Sequence, residues 1–519
     1  MTKPGKCVNS FVVSIFIVGF VLCLTPFNAR ADIDELNIGI GVDADTLNPH
    51  EQSTSLSINI CELIYDTLFF QAPGGRLKPR LATKYEVSQD RLNYTIHLRK
   101  GVRFSDGTPF NANSMKLNLD RALNPKLRAP LRFTLGMIEE VRVVDEYSIR
   151  IRIKYPFAPF ASTLSMAILS PISPAAIKKY KGDVRRHPVG AGPYVLREWV
   201  KGERIVLVRN RAYFGPRPTV KKIIFKIIPE AATRESMLSA GKIDICYKPS
   251  QAHVKALEAD QNITVEMPLN TRTIIIGLNF KKGVTKNKRV RQAFNYAVNK
   301  KEIVKKILFN MAIPMEGPTS PILFGFHKMA HQYDYNPSKA KELLKKANFD
   351  FSRTIHIRTS QGRYPFDKQV SEAIQVYLRA IGVKAELRIY DWTTYVADLL
   401  QPIDKTELEI FYLAWGPMVL DADMSLYGQF HSSMNPPEGL GASHYSNQEY
   451  DKLIQATRLE HDPDKRLALF KKASEIVWDD CPWIWLYVEK FVIAYRSDLK
   501  GLVVTGTEKF YPTYMKRRQ

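Results

Sequence analysis

Tyr94, Ile96 and Leu98 alternate with Thr95 and His97, a period of two that predicts a strand with one buried face. The turn-forming run Ser105-Asp106-Gly107-Thr108-Pro109 follows it. Ile149, Ile151 and Ile153 alternate with Arg150, Arg152 and Lys154 in the same way, one face apolar and the other basic. Elsewhere the period lengthens. Val370, Ile374, Tyr377, Leu378 and Ile381 recur at helical spacing and stop at Gly382. Val383, Ala385, Leu387 and Ile389 then alternate with charged residues, so the stretch reads as a helix passing into a strand. Asp462-Pro463 offers an N-cap with proline at the first helical position, ahead of Leu467, Phe470, Ala473 and Val477, and Asn336-Pro337 opens another helix likewise. Helix and strand signals interleave along the chain, which predicts an α/β fold.

The beginning of the chain departs from this pattern. Lys3 and Lys6 precede an uncharged run of 14 residues, Phe11 to Leu24, and Ala29-Arg30-Ala31 follows. This is the layout of a secretory signal peptide, with cleavage expected after Ala31 and a periplasmic destination. The run is short of the roughly 20 residues a helix needs to cross a bilayer. Cys23 follows Leu22 inside the run and does not fit a lipidation site.

The 488 residues after Ala31 predict about three domains on a prior of roughly 100–200 residues each. Apolar residues at 45% and charged residues at 24% are ordinary for a globular protein. Beyond the leader only Cys61, Cys246 and Cys481 remain, enough for one disulfide at most and not for a disulfide framework. The net charge of +23 raises the question of nucleic acid or an anionic membrane, but the basic residues are scattered rather than gathered in a groove. No nucleic-acid partner is expected; attraction for anionic ligands stays open.

Enzyme motifs are missing. The chain has no H-E-x-x-H, no G-x-S-x-G, no G-x-x-x-x-G-K-[ST] and no C-x-x-C, and thirteen residues separate His431 from His444. Gly39-x-Gly41 follows a strand-like run, but Ala44 and Pro49 do not continue a dinucleotide loop, so it reads as the end of the first strand. No catalytic step, metal or cofactor is expected.

The stretch Leu81 to Leu123, LATKYEVSQDRLNYTIHLRKGVRFSDGTPFNANSMKLNLDRAL, resembles the signature of the family 5 extracellular solute-binding proteins. DTLNPH from Asp45, VGAGPYVLREWVKGERIVLVRNRAYFG from Val189, VRQAFNYAVNKKEIV from Val290 and YSNQEYDKLI from Tyr445 agree with the family in order. The resemblance implies a two-lobed, hinged periplasmic binding protein fold with an extra subdomain on the first lobe. It divides the chain into a leader (1–31), a first lobe (32–70, 187–275 and 490–519), an inserted subdomain (71–186) and a second lobe (276–489). The hinge would lie near Asn270 to Asn279 and Lys490 to Tyr495. The implied role is the ligand-capturing, monomeric component of an ABC importer, meeting a permease with separate ATPase subunits and carrying a peptide or peptide-like ligand. A glutathione-like compound, nickel chelate, haem or oligosaccharide, or a sensory role, remains an alternative.

The resemblance also suggests where ligand would sit. Peptide-binding relatives carry a carboxylate for the ligand ammonium three residues after a tryptophan matching Trp415; here that position is Met418. Burying an ammonium without a counter-charge is costly, so Asp421 or Asp423 would have to substitute, unless both only cap backbone amides. Trp415 offers either a flat ligand contact or a core side chain. Arg363 occupies a loop resembling the one that carries a carboxylate-binding arginine, and its guanidinium fork suits that task; it could equally be a solvated surface residue. Ser53, Thr54 and Ser55 supply hydroxyls where the first lobe faces the cleft. An arginine without the partner aspartate suggests a carboxylate-bearing ligand whose amine is blocked or displaced.

Overall fold

The computed structural model describes residues 1–2, 32–72, 75–127 and 129–518. The leader expected over residues 1–31 lies, apart from Met1 and Thr2, outside the described residues.

Leu36–Ile40 pairs in parallel with Lys222–Ile227 on one side and Ile245–Tyr247 on the other. It becomes the centre of a seven-stranded sheet, ordered Ile263–Glu266, Ile493–Arg496, Ile245–Tyr247, Leu36–Ile40, Lys222–Ile227, Arg204–Arg209 and Tyr194–Val200. The two glycines at its end serve close packing. A Cβ on Gly39 would lie 2.6 Å from Ile243 Cδ1, and one on Gly41 3.0 Å from Arg234 Nη1.

A second sheet of six strands runs Ala312–Pro314, Trp483–Lys490, Leu269–Leu278, Ile410–Trp415, Thr354–Ser360 and Lys384–Tyr390. Its last two strands are parallel and joined by the helix Asp367–Ala380, whose Val370, Ile374 and Leu378 are buried. Gly382, at φ +94°, makes the exit that a side chain would strain. Trp478 and Trp485 stack at 4.9 Å in the core behind this sheet, a pairing worth about 0.5–1.5 kcal/mol beyond burial.

Four antiparallel strands, in the order Ala82–Val87, Asn93–Leu98, Ser148–Ile153 and Ile138–Asp145, form a third layer against the helix Ala112–Leu123. The alternations read from the sequence hold: Tyr94, Ile96, Leu98, Ile149, Ile151 and Ile153 are buried, while Arg150 and Arg152 face solvent.

One expected face shifts. In the helix Pro463–Asp480, capped by Asp462, the residues Phe470, Ala473 and Val477 are buried but Leu467 is 39% exposed. Arg466 turns inward instead, drawn by a two-pronged ion pair with Asp421, so the buried stripe runs 466, 470, 473, 477.

The two large sheets belong to two lobes, and the chain passes between them twice. It crosses at Met267–Pro268 and again at Phe491–Val492, where the Phe491 N–H donates to the Pro268 carbonyl at 2.9 Å. The first crossing precedes the stretch Asn270 to Asn279 expected as hinge, because that stretch is locked into the six-stranded sheet as Leu269–Leu278. Cys61, Cys246 and Cys481 are all buried free thiols, each in a different core cluster.

Candidate functional site

Where the lobes meet, a cleft of about 730 Å³ opens beside the second crossing. One wall holds Ser53 to Leu56 and Tyr247 to Gln251; the other is Arg363 to Phe366; Arg272, Glu489 and Glu508 lie between. Its size falls within the usual range for small-ligand sites, about 300–1,000 Å³.

The first wall is the beginning of the helix Ser55–Tyr65. Thr54 caps it by accepting from the Ser57 N–H. The hydroxyls of Ser53 and Thr54 both donate to the Asp45 carboxylate, at 2.8 and 3.2 Å, so their oxygens are held as acceptors toward the cleft. Asp45 belongs to the DTLNPH motif, whose role is thereby to orient this wall.

The facing wall is pinned by Asp367. Its buried carboxylate accepts from the backbone N–H groups of Gly362, Arg363 and Tyr364 at 3.0–3.1 Å and fixes the loop before its helix. Gly362, at φ +80°, takes a backbone conformation in which a side chain would be strained. The Arg363 guanidinium lies 4.9 Å from the Trp392 ring centre and 5.4 Å from that of Tyr364, exposed at the cleft. Among the described residues no carboxylate pairs with it.

Between the walls sits a charge cluster that the sequence reading did not pick out. Arg272 bridges Glu489 at 3.0 Å and Glu508 at 3.1 Å. Glu508 also accepts from Lys248 at 2.7 Å, Ser55 at 2.8 Å and Asn270 at 2.9 Å. Burial alone would raise the Glu508 carboxyl, but Lys248 and Arg272, with the Ser55 hydrogen bond, outweigh it and lower it to about 2. The Glu489 carboxyl is raised from its ordinary value because burial dominates, Arg272 offsets it only in part and Glu508 adds repulsion. A signal was present for two of these: Arg272 and Glu489 are charged residues in strands that are largely apolar elsewhere, LNTRTIIIGL and WIWLYVEK. Glu508, in an irregular C-terminal segment at φ +60°, offered none.

Of the residues singled out from the sequence, Ser53, Thr54, Ser55 and Arg363 line this cleft. Met418 lines a second hollow of about 340 Å³, together with Leu269, Ile322, Val504 and Tyr511. Trp415 ends the strand Ile410–Trp415, half-buried against the second-lobe core, with its indole N–H buried and without an acceptor. Asp421 gives both oxygens to Arg466, at 2.6 and 2.8 Å, beside a separate hollow of about 300 Å³. Asp423 pairs with Arg458 at 3.2 Å. Burial raises its carboxyl to about 6, with Arg458 offsetting part and Asp421 adding to it.

Residues 76–437 match the sequence model for bacterial extracellular solute-binding proteins, family 5, middle region. The chain is 30% identical to the glutathione-binding protein GsiB of Shigella dysenteriae serotype 1 over 497 residues, covering 95% of this chain and 96% of that one. Its fold is similar to that of HbpA2 from Haemophilus parasuis, with a TM-score of 0.86 at 23% identity over 94% of this chain and 100% of the other. The periplasmic binding protein DppA of Helicobacter pylori, in complex with the peptide STSA, gives a TM-score of 0.77 at 28% identity, covering 94% of this chain and 99% of that one.

Proposed function

Because this chain belongs to the family 5 bacterial extracellular solute-binding proteins, a transport family rather than an enzyme family, we propose that it captures a short peptide-like anion of the glutathione class for an ABC importer. The observation that carries the ligand class is the charge of the cleft. Lys248, Arg272, Arg363 and Lys490 face two carboxylates, and Arg363 is left without an ionic partner.

On this reading Arg363 takes a ligand carboxylate in a bidentate pair, stiffened from behind by Trp392 and Tyr364. Ser53 and Thr54 accept hydrogen bonds from ligand amides. Closure about Met267–Pro268 and Phe491–Val492 desolvates the ligand, and no step of chemistry follows. The divisions 32–70, 187–275 and 490–519 for the first lobe, 71–186 for the subdomain and 276–489 for the second lobe are part of the proposal. Strand membership of the sheets supports them except at 275/276, where the strand Leu269–Leu278 lies wholly in the six-stranded sheet and moves that boundary back to Met267–Pro268. The proposal also includes a leader cleaved after Ala31, and a monomer that docks on a permease served by separate ATPase subunits. The net charge of +23 favours encounter with anionic solutes.

The test is thermal unfolding against glutathione, di- to tetrapeptides, haem and nickel with histidine. A ligand at 100 times its Kd adds ~2.7 kcal/mol. Glutathione or free peptides should raise the midpoint. Arg363→Ala should weaken their binding about tenfold or more, the worth of a charge-assisted hydrogen bond. Unchanged affinity in that variant would refute the carboxylate site.

A further inference from the structure

The missing carboxylate at Met418 leaves the ligand's amine without a partner where the family resemblance would put one, and both Asp421 oxygens are engaged by Arg466. Two carboxylates line the 730 Å³ cleft itself. Glu508 is saturated, since four donors from Lys248, Ser55, Asn270 and Arg272 occupy its two oxygens. Glu489 is not. It is 6% exposed, accepts from Arg272 through Oε2, and among the described residues no donor reaches its other oxygen.

A carboxylate with about four acceptor sites, buried beside one shared guanidinium, is under-solvated, and its raised pKa expresses the same deficit. The deficit extends to the neighbouring wall. Tyr247 Oη and Gln251 Oε1 line the same cleft, and both are buried polar atoms without a partner among the described residues. The Tyr247 ring packs 5.6 Å from that of Phe491, two residues along the chain from Glu489. Buried polar groups are ordinarily satisfied, so the open oxygen of Glu489 beside the unpartnered Gln251 Oε1 and the Tyr247 hydroxyl, which can accept as well as donate, suits a ligand that brings donors. A primary ammonium carries three N–H donors and one positive charge, which meets both the geometry and the charge deficit.

We propose that Glu489 is the anchor for the free ammonium group of the ligand, with Tyr247 and Gln251 contributing the remaining hydrogen bonds. This rests on the peptide-like reading above and assigns the two ends of the ligand: carboxylate to Arg363, ammonium to Glu489. The amine is thus displaced from the position near Trp415 to the end of the strand that leads into the second crossing. Closure and amine recognition then share one strand, Trp483–Lys490.

The experiment is calorimetric titration of the full protein at pH 7.5 with glutathione and with trialanine, each in free and N-acetylated form. Wild type should bind the free amines about tenfold to a hundredfold more tightly than the acetylated forms. Glu489→Gln should bring the two forms to nearly equal affinity, whereas Arg363→Ala should weaken both and keep their ratio. A ratio near one in the wild type, which needs no variant to fold, overturns the proposal. So does a Glu489→Gln protein that keeps the wild-type ratio. If no form of either compound binds wild type, the peptide-like reading itself fails and this assignment falls with it.

Discussion

Truncating Asp421 to alanine separates a structural role from a ligand role for the loop after Trp415. In the native protein the Asp421 carboxylate takes two hydrogen bonds from Arg466, and the two side chains are only 5% and 7% exposed. It accepts a third from the Asp423 N–H at 3.0 Å, so both oxygens are already engaged in the buried pair. Removing it strands a buried guanidinium whose remaining acceptor is the Thr457 carbonyl at 2.8 Å. Breaking such a pair from one side costs about 3–5 kcal/mol, and the burial leaves no reason to discount it for solvent screening. Unfolding entropy of ~2.1 cal/mol/K per residue over roughly 490 residues is about 1 kcal/mol/K, so the thermal midpoint should fall by ~3–5 °C. Replacing both partners with apolar residues, Asp421→Leu with Arg466→Met, should recover most of the loss, because no charge is then left unpaired. The assay is differential scanning calorimetry at pH 7.5 of wild type, both single variants and the double variant, with ligand affinity measured 20 °C below the lowest midpoint. An Asp421→Ala protein with an unchanged midpoint and a tenfold loss of ligand affinity would refute the reasoning and return Asp421 to the binding site.

Two further outcomes follow from buried groups, beside those stated for Arg363 and Glu489. The Asp423 carboxyl is raised from 3.8 to about 6, chiefly by burial, so between those values the folded state holds a proton that the unfolded state releases, and stability falls as pH rises through the window. Asp423→Asn lacks this loss, so its stability relative to wild type should improve from pH 4 to pH 6 in urea titrations; a flat difference would contradict it. Burial also pushes the thiols of Cys246 and Cys481 up to about 11 and about 12 and raises Cys61 well above its ordinary value. A thiol reagent should therefore find no reactive cysteine in the native mature protein and three in denaturant, and rapid native labelling would show that these cores open.

Much of the architecture was legible in the sequence, because strand and helix periods, N-caps and glycine exits are set by neighbours a few residues apart. Tyr94, Ile96 and Leu98, the Asp462 cap and the Gly382 exit follow from such local rules and recur in the structure. Arg363 was singled out through its loop, and it lines the cleft. The face of the helix Pro463–Asp480 was misjudged at Leu467 because a partner 45 residues earlier, Asp421, decides which way Arg466 turns. The Arg272 cluster depends on tertiary structure entirely: Arg272 and Glu489 are 217 residues apart, and they meet only because their strands pair across the six-stranded sheet beside the crossing. A charge in a largely apolar strand announces that a partner exists without saying which residue supplies it. By itself the sequence determined the periods, the leader pattern, the absence of enzyme motifs and the family. Only the folded chain decided which carboxylates are saturated and which face the cleft, because burial and pairing of charge depend on distances in space that residue spacing along the chain does not set.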